Sequence, residues 1–182
     1  MSQFTLHTQE SAPEASKSLL EASQQSFGMI PNLHAVMAEA PGLLEGYQTL
    51  HRLVLESSFN NDEKTVVWQT VNVEHKCHYC VPAHSGIARS MKVDESIDTA
   101  LRNQQALPEK LEALRSFTLE VVRSRGNVSD EQVAEFLKAG FTQRNVLEVV
   151  LVVSQKVMSN YVNHLANTPI DEPFKQFEWS DQ

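Results

Sequence analysis

The chain holds two cysteines, Cys77 and Cys80, and they fall together in the segment Cys77-His78-Tyr79-Cys80-Val81-Pro82-Ala83-His84. A thiolate rather than a thiol is the nucleophile and the metal ligand, so a working cysteine needs a neighbour that lowers its pKa. Two such neighbours are written into this segment. Pro82 favours a helix start just after Cys77, because a first-turn proline gives up an N–H that the helix could not use. His84, four residues beyond Cys80, then falls on the same helical face one turn away. The spacing predicts His84 as base and partner to Cys80, with Cys77 waiting to close a disulfide. Zinc is the competing chemistry: Cys77, Cys80, His84 and either His75 or His78 would supply the four ligands of a structural site. Such sites usually draw ligands from two separated segments, and no second cysteine pair exists here. The spacing therefore favours a redox dithiol, with the metal site as its alternative. Inert buried thiols are the plainest reading, and the C-x-x-C spacing argues against it.

Other residues border this cluster. Glu74 lies three residues before Cys77 and is a candidate catalytic carboxylate, although a solvated helix end explains it equally simply. His78 and Tyr79, between the cysteines, would border any substrate pocket, and the Tyr79 hydroxyl is a candidate hydrogen-bond donor there, or an aromatic that packs against the next helix. His75 would add positive charge near the thiolates. Glu148 interrupts an apolar run, where an unpaired carboxylate is costly, so it must meet a partner, a pocket or a wet stripe. Asn163 and His164 read as packing or interface residues. Ala83 and Gly86 read as small residues that permit close packing.

The elements that must position these groups read as helices almost throughout. Ala15 to Phe27 is amphipathic, and Gly28-Met29-Ile30-Pro31-Asn32 breaks it. Pro41 opens a helix, and Asn61 or Asp62 caps the next, which runs through Val66, Val67 and Val71 toward the dithiol. Asp94 and Pro108 mark two further starts. Ser129 with Gln132 resembles a capping box, and Gly140 ends that helix. Thr142 begins the most apolar helix, which continues to about Leu165. With six glycines and no Asn-Gly or Asp-Gly hairpin turn, the pattern predicts an all-α, single-domain bundle over residues 1–182. The valine-rich runs 65–73 and 146–153 leave one alternative: buried strands, the first leading into the dithiol as in thioredoxin. Phe59-Asn60-Asn61-Asp62 and Phe141-Thr142-Gln143-Arg144 each precede an apolar helix, a faint internal similarity.

Composition sets the surroundings. A chain of 182 residues with 41% hydrophobic and 21% charged residues buries one sizeable core. No apolar run approaches the roughly 18 residues of a membrane span. The first ten residues lack the basic and apolar regions of a signal peptide, so a cytoplasmic protein is expected. In that compartment a C-x-x-C pair is more often catalytic than structural. A formal charge of −8 argues against nucleic acid or an anionic membrane as partner.

The segment from Cys77 to His84 resembles the C-x-x-C-x-x-x-H signature of the alkylhydroperoxidase D-like, or carboxymuconolactone decarboxylase, superfamily. Gly28-Met29-Ile30-Pro31-Asn32-Leu33 and Ala40-Pro41-Gly42-Leu43-Leu44 are similar to the N-terminal region of its peroxidase-related members. The helix from Val146 to Asn167, with Tyr161-Val162-Asn163-His164, is similar to their C-terminal helix. The resemblance covers nearly the whole chain and implies an all-helical subunit of a symmetric trimer or hexamer. It implies thiol-dependent reduction of small organic hydroperoxides, with a thiol or dithiol reductant and no cofactor. Cys80 would be the peroxidatic cysteine, Cys77 the resolving cysteine and His84 the proton-relay base. One departure stands out: such peroxidases usually carry a glutamate twelve residues before the first cysteine, and Thr65 occupies that position. The same fold also supports decarboxylation of muconolactone-type acids, which does not depend on a C-x-x-C pair. A zinc-stapled interaction protein is the non-enzymatic alternative.

Overall fold

The computed structural model describes residues 4–180. The expectations about the extreme N-terminus and about a domain spanning 1–182 therefore extend in part to residues outside them. Among the described residues the order is α1 (Glu14–Phe27), α2 (Asn32–Met37), α3 (Pro41–Leu55), α4 (Asn61–Glu74), α5 (Cys80–Ser90), α6 (Glu95–Arg102), α7 (Glu109–Ser124), α8 (Asp130–Lys138) and α9 (Gln143–Ala166). A 3-10 turn, Glu172–Phe177, follows. No strand occurs among the described residues.

The helix starts follow from side chains that satisfy the first-turn amides. Asn60 caps α4 by accepting from Glu63 N–H at 2.9 Å, while Glu63 accepts from Asn60 N–H at 3.0 Å. The cap thus lies one residue before the expected Asn61 or Asp62. Ser129 with Gln132 and Thr142 with Asn145 form the same reciprocal box at α8 and α9. Phe59 and Phe141 precede two of these boxes, and their rings meet edge to face at 6.4 Å. Short α2 and the C-terminal 3-10 turn have too few turns to register as periodicity.

The two valine-rich runs are helical, which excludes the thioredoxin arrangement. Their strand-like look has a packing cause. Helix α4 is buried from Glu63 to Asn72 and packs against α5, α6, α7 and α9, so it needs apolar residues on every side. The core divides in two around it. The larger part joins α4, α6, α7, α8 and α9, with Phe117, Phe136 and Phe141 stacked at 4.2 and 4.4 Å. The smaller part joins α1, α2, α3 and the start of α5, and contains Cys77, Tyr79 and Cys80. The dithiol is therefore a core feature, set where two helices meet.

Candidate functional site: a buried dithiol at a helix corner

The corner between α4 and α5 is a Schellman motif. Lys76 adopts the left-handed region at φ 53°. Its N–H donates to Val73 O at 2.9 Å, and the Cys77 N–H donates to Asn72 O at 2.9 Å. Cys77 thus closes α4 while Cys80 is the first residue of α5, slightly later than the start just after Cys77 expected from Pro82. Both sulfurs are buried, and Cys80 N–H donates to Cys77 Sγ at 3.3 Å.

Helix α9 supplies the other half of the site. Asn163 Nδ2 donates to Cys80 Sγ at 3.1 Å, and Ser159 Oγ stands 3.9 Å away. Lys156, 1% exposed, places its ammonium 2.8 Å from His84 Nε2. Burial alone would push the Cys80 thiol up. The hydrogen bond from Cys77, the Lys156 ammonium and the Asn163 amide outweigh it and hold Cys80 below the ordinary thiol range. Cys77 moves the other way, because it donates to Cys80 and is buried as well. The pair is therefore differentiated: Cys80 holds the negative charge and Cys77 keeps its proton.

The histidine does not take its expected place. His84 Nε2 accepts from Lys156 instead of touching Cys80, so His84 stands one residue removed from the sulfur. Burial, then the neighbouring Lys156 charge, holds it neutral with a pKa well below the usual histidine value. Its Nδ1 is buried and has no partner among the described residues. Trp68 packs on this ring at 4.9 Å and on His51 at 5.9 Å, and donates through Nε1 to Gln155 at 2.8 Å. His51 is pushed down to about 4 and His34 to about 3, each chiefly by burial. At neutral pH the charge at this site is thus a thiolate beside one ammonium.

A pocket of about 200 Å³ opens onto Cys80. Cys80, His84, Lys156, Tyr47, His34 and His51 line it together with the apolar side chains of Phe27, Met29, Pro31, Leu33, Pro173 and Phe174. Among the described residues no carboxylate lines it. Thr65, twelve residues before Cys77, is buried with its Oγ1 unpartnered and does not line the pocket.

The remaining candidates separate. Tyr79 lines the pocket, but its hydroxyl donates to Asp171 Oδ2 at 2.5 Å and accepts from Leu33 N–H, so the proton expected for a substrate is already committed. His78 is exposed and donates to Trp179 O at 3.2 Å, outside the pocket. Glu74 is gripped by Arg123 through two hydrogen bonds of 2.8 and 2.9 Å, beside a different cleft. Arg123 also holds its pKa below the usual carboxylate value. His75 pairs with Asn160 at 2.9 Å. The three histidine candidates for zinc thus point to three different partners, and no group of three or more His, Cys, Asp or Glu among the described residues converges on a metal position. Glu148 meets Ser58, Asn145 and Arg144, which ties α9 to the end of α3. Asn163, expected to be a packing residue, is instead a direct partner of the Cys80 sulfur.

A scan against protein-family models and a search of curated proteins each return no match. Solved structures do match. An alkylhydroperoxidase AhpD core, an uncharacterized peroxidase-related protein from Ralstonia eutropha JMP134, superposes with TM-score 0.84 at 17% identity, over 95% of this chain and 94% of that one. An uncharacterized peroxidase-related protein from Silicibacter sp. TM1040 gives 0.79 at 18%, over 94% of each chain. A cysteine-to-alanine variant of the debrominase Bmp8 in complex with 2,3,4-tribromopyrrole gives 0.80 at 17%, over 97% and 95%. At such identities the likeness is one of fold.

Proposed function

We propose that this chain, an alkylhydroperoxidase D-core fold with a dithiol at the floor of an apolar pocket, is a thiol-dependent peroxidase for organic hydroperoxides. One observation carries the reading: Cys80 has the surroundings of a thiolate and opens onto the pocket, while Cys77 sits behind it as a protonated thiol. The Cys80 thiolate attacks the terminal peroxide oxygen, the O–O bond breaks, and Cys80 becomes a sulfenic acid. The departing alkoxide takes a proton from the Lys156 ammonium and leaves as the alcohol. The Cys77 sulfur then attacks the sulfenic sulfur, a disulfide forms, and the hydroxyl leaves as water with the Cys77 proton. A thiol or dithiol returns the pair to the reduced state. His84 orients Lys156 in this scheme by accepting its N–H at Nε2, rather than acting on Cys80 directly.

The test begins with reduced protein and a slight excess of cumene hydroperoxide. Loss of both thiols with a two-hydrogen decrease in intact mass is expected, and Cys77→Ser should trap a sulfenic acid that dimedone labels at Cys80. Cys80→Ser should consume no peroxide. Steady-state turnover retained by both variants would sink the reading.

A second reading has support of its own. The same two-electron dithiol suits reductive dehalogenation, in which an aryl bromide and two thiols give the arene, hydrogen bromide and a disulfide. The rings of Phe27, Tyr47, Tyr79 and Phe174 around the thiolate favour a flat aromatic guest, and a bromopyrrole challenge of the reduced protein tests it. A muconolactone-type acid fits less well. Among the described residues Lys156 is the only lysine or arginine lining the pocket, and it serves the thiolate.

We further infer that the chain works as a homo-oligomer. Leu147, Val150, Tyr161 and Leu165 lie on one face of α9, with Leu147 70% and Leu165 75% exposed, which is the kind of apolar face a second copy covers. Sedimentation should return a trimer or hexamer. Purely monomeric protein at micromolar concentration would exclude it.

A further inference from the structure

Most of the pocket wall comes from helices, but Pro173 and Phe174 come from the segment after α9, which is tied down at both ends. At its start, Asp171 accepts from Asn32 N–H at 2.9 Å and from the Tyr79 hydroxyl, and Asn32 Nδ2 donates to Pro169 O at 3.0 Å. At its far end, Arg102 donates to Glu178 O at 3.1 Å, and Trp179 Nε1 donates to Arg102 O at 3.1 Å. Between these anchors lies the 3-10 turn Glu172–Phe177, whose i→i+3 hydrogen bonds are weak on their own. Its inner contacts are two rings laid on α5. Phe174 rests on Gly86, where a Cβ would stand 2.6 Å from Phe174 Cδ1, so a side chain at position 86 would displace the ring. Phe177 lies beside it, 6.0 Å from the Arg89 guanidinium carbon.

Exposure falls along the pocket. Phe27 and Pro173 are exposed, Phe174 is half-buried, and Cys80 and Lys156 are buried. Phe177 does not line it. We propose that the segment 167–180 is the lid of the dithiol pocket and that Phe174, seated on Gly86, sets the size of the molecule that reaches Cys80. Gly86 is then a positioning residue, and Asp171 fixes the lid to the Tyr79 residue that immediately precedes Cys80. Selection among hydroperoxides follows only if the peroxidase reading holds, whereas restricted access to the Cys80 sulfur does not depend on it.

The test compares alkylation of Cys80 in the reduced full chain by iodoacetamide and by the bulky N-(1-pyrenyl)maleimide, followed by peptide mass. In Phe174→Ala the ratio of bulky to small reagent rate should rise at least about tenfold, the scale on which a pocket wall discriminates by size. Phe177→Ala, which removes an equal ring from the same turn but outside the pocket, should stay within about twofold. Phe174→Leu keeps the lid anchored and should give an intermediate ratio, and Gly86→Ala should move the ratio the same way by unseating the ring. An unchanged ratio in Phe174→Leu and Phe174→Ala, or an equal rise in both phenylalanine-to-alanine variants, would overturn the assignment. In the same variants, turnover of cumene hydroperoxide relative to hydrogen peroxide should follow the alkylation ratio. No turnover in any of them, wild type included, would overturn the peroxidase reading alone.

Discussion

Lys156 decides the chemistry of this site at the scale of single residues. A buried ammonium is costly unless its charge is answered, and here the answer is the thiolate it stabilises. Burial lowers the lysine pKa while the two cysteines pull it back up, so lysine and Cys80 hold each other ionised. Because the Cys80 pKa is lowered, its thiolate persists as pH falls through the range in which an ordinary thiol, near about 8.5, has already taken up its proton. Alkylation of Cys80 should therefore stay nearly level between about pH 8 and pH 6. In Lys156→Met the cation is gone and the Cys80 pKa rises, so the rate should fall about tenfold for each pH unit across that window. A level profile in the variant would show that the Cys77 and Asn163 hydrogen bonds suffice without the lysine.

Helix α9 shows at the scale of elements how much could be read from sequence. Its extent from Thr142 to about Leu165 was legible from a cap and an apolar period, and so was the helical character of nearly every other long segment. Its orientation was not. The run Val146–Val153 suggests an ordinary apolar buried face, and Val149 and Val152 are buried, but so are Gln155, Lys156, Ser159, Asn160 and Asn163, while Leu147, Leu165 and Tyr161 face out. A signal was present: a lysine and polar residues at three- and four-residue spacing, opposite an apolar stripe, mark a helix that carries a site inside. Cys77 and Cys80 were legible because their spacing is local. Their partners on α9 come from some eighty residues away, and only tertiary packing brings them close. His84 was placed on the right face of α5, but sequence spacing could not show that a lysine would occupy its Nε2. The inward face also carries structure of its own. Asn160 bridges His75 to Asn72, and Asn72 donates toward the Cys80 carbonyl at 3.4 Å. Asn160→Ala removes the partners of His75 Nδ1 and of the buried Asn72 Oδ1 and should cost about 1–3 kcal/mol in denaturant unfolding. A cost near zero would mean that the network is dispensable.

For the whole molecule, the two-part core separates stability from chemistry. The phenylalanine stack and the capped starts of α4, α8 and α9 hold the larger part together, and the dithiol belongs to the smaller. The smaller part, with α1, α2 and the lid segment, surrounds the pocket. One consequence follows from the cysteines lying at a single corner, Cys77 at the end of α4 and Cys80 at the start of α5. A bond between them would close a ring of only four residues. Cross-links stabilise mainly through the loop-closure entropy they remove from the unfolded chain, and for so short a ring that is about 2 kcal/mol before any native-state strain is subtracted. Spread over a chain of 182 residues, this shifts melting by no more than about 4–8 °C. Calorimetry of the fully reduced and fully oxidised protein should find the two transitions within that interval, and a wider gap would mean that oxidation rearranges the corner. The fold would then be nearly indifferent to whether its electrons are present, as the proposed alternation between the two states requires.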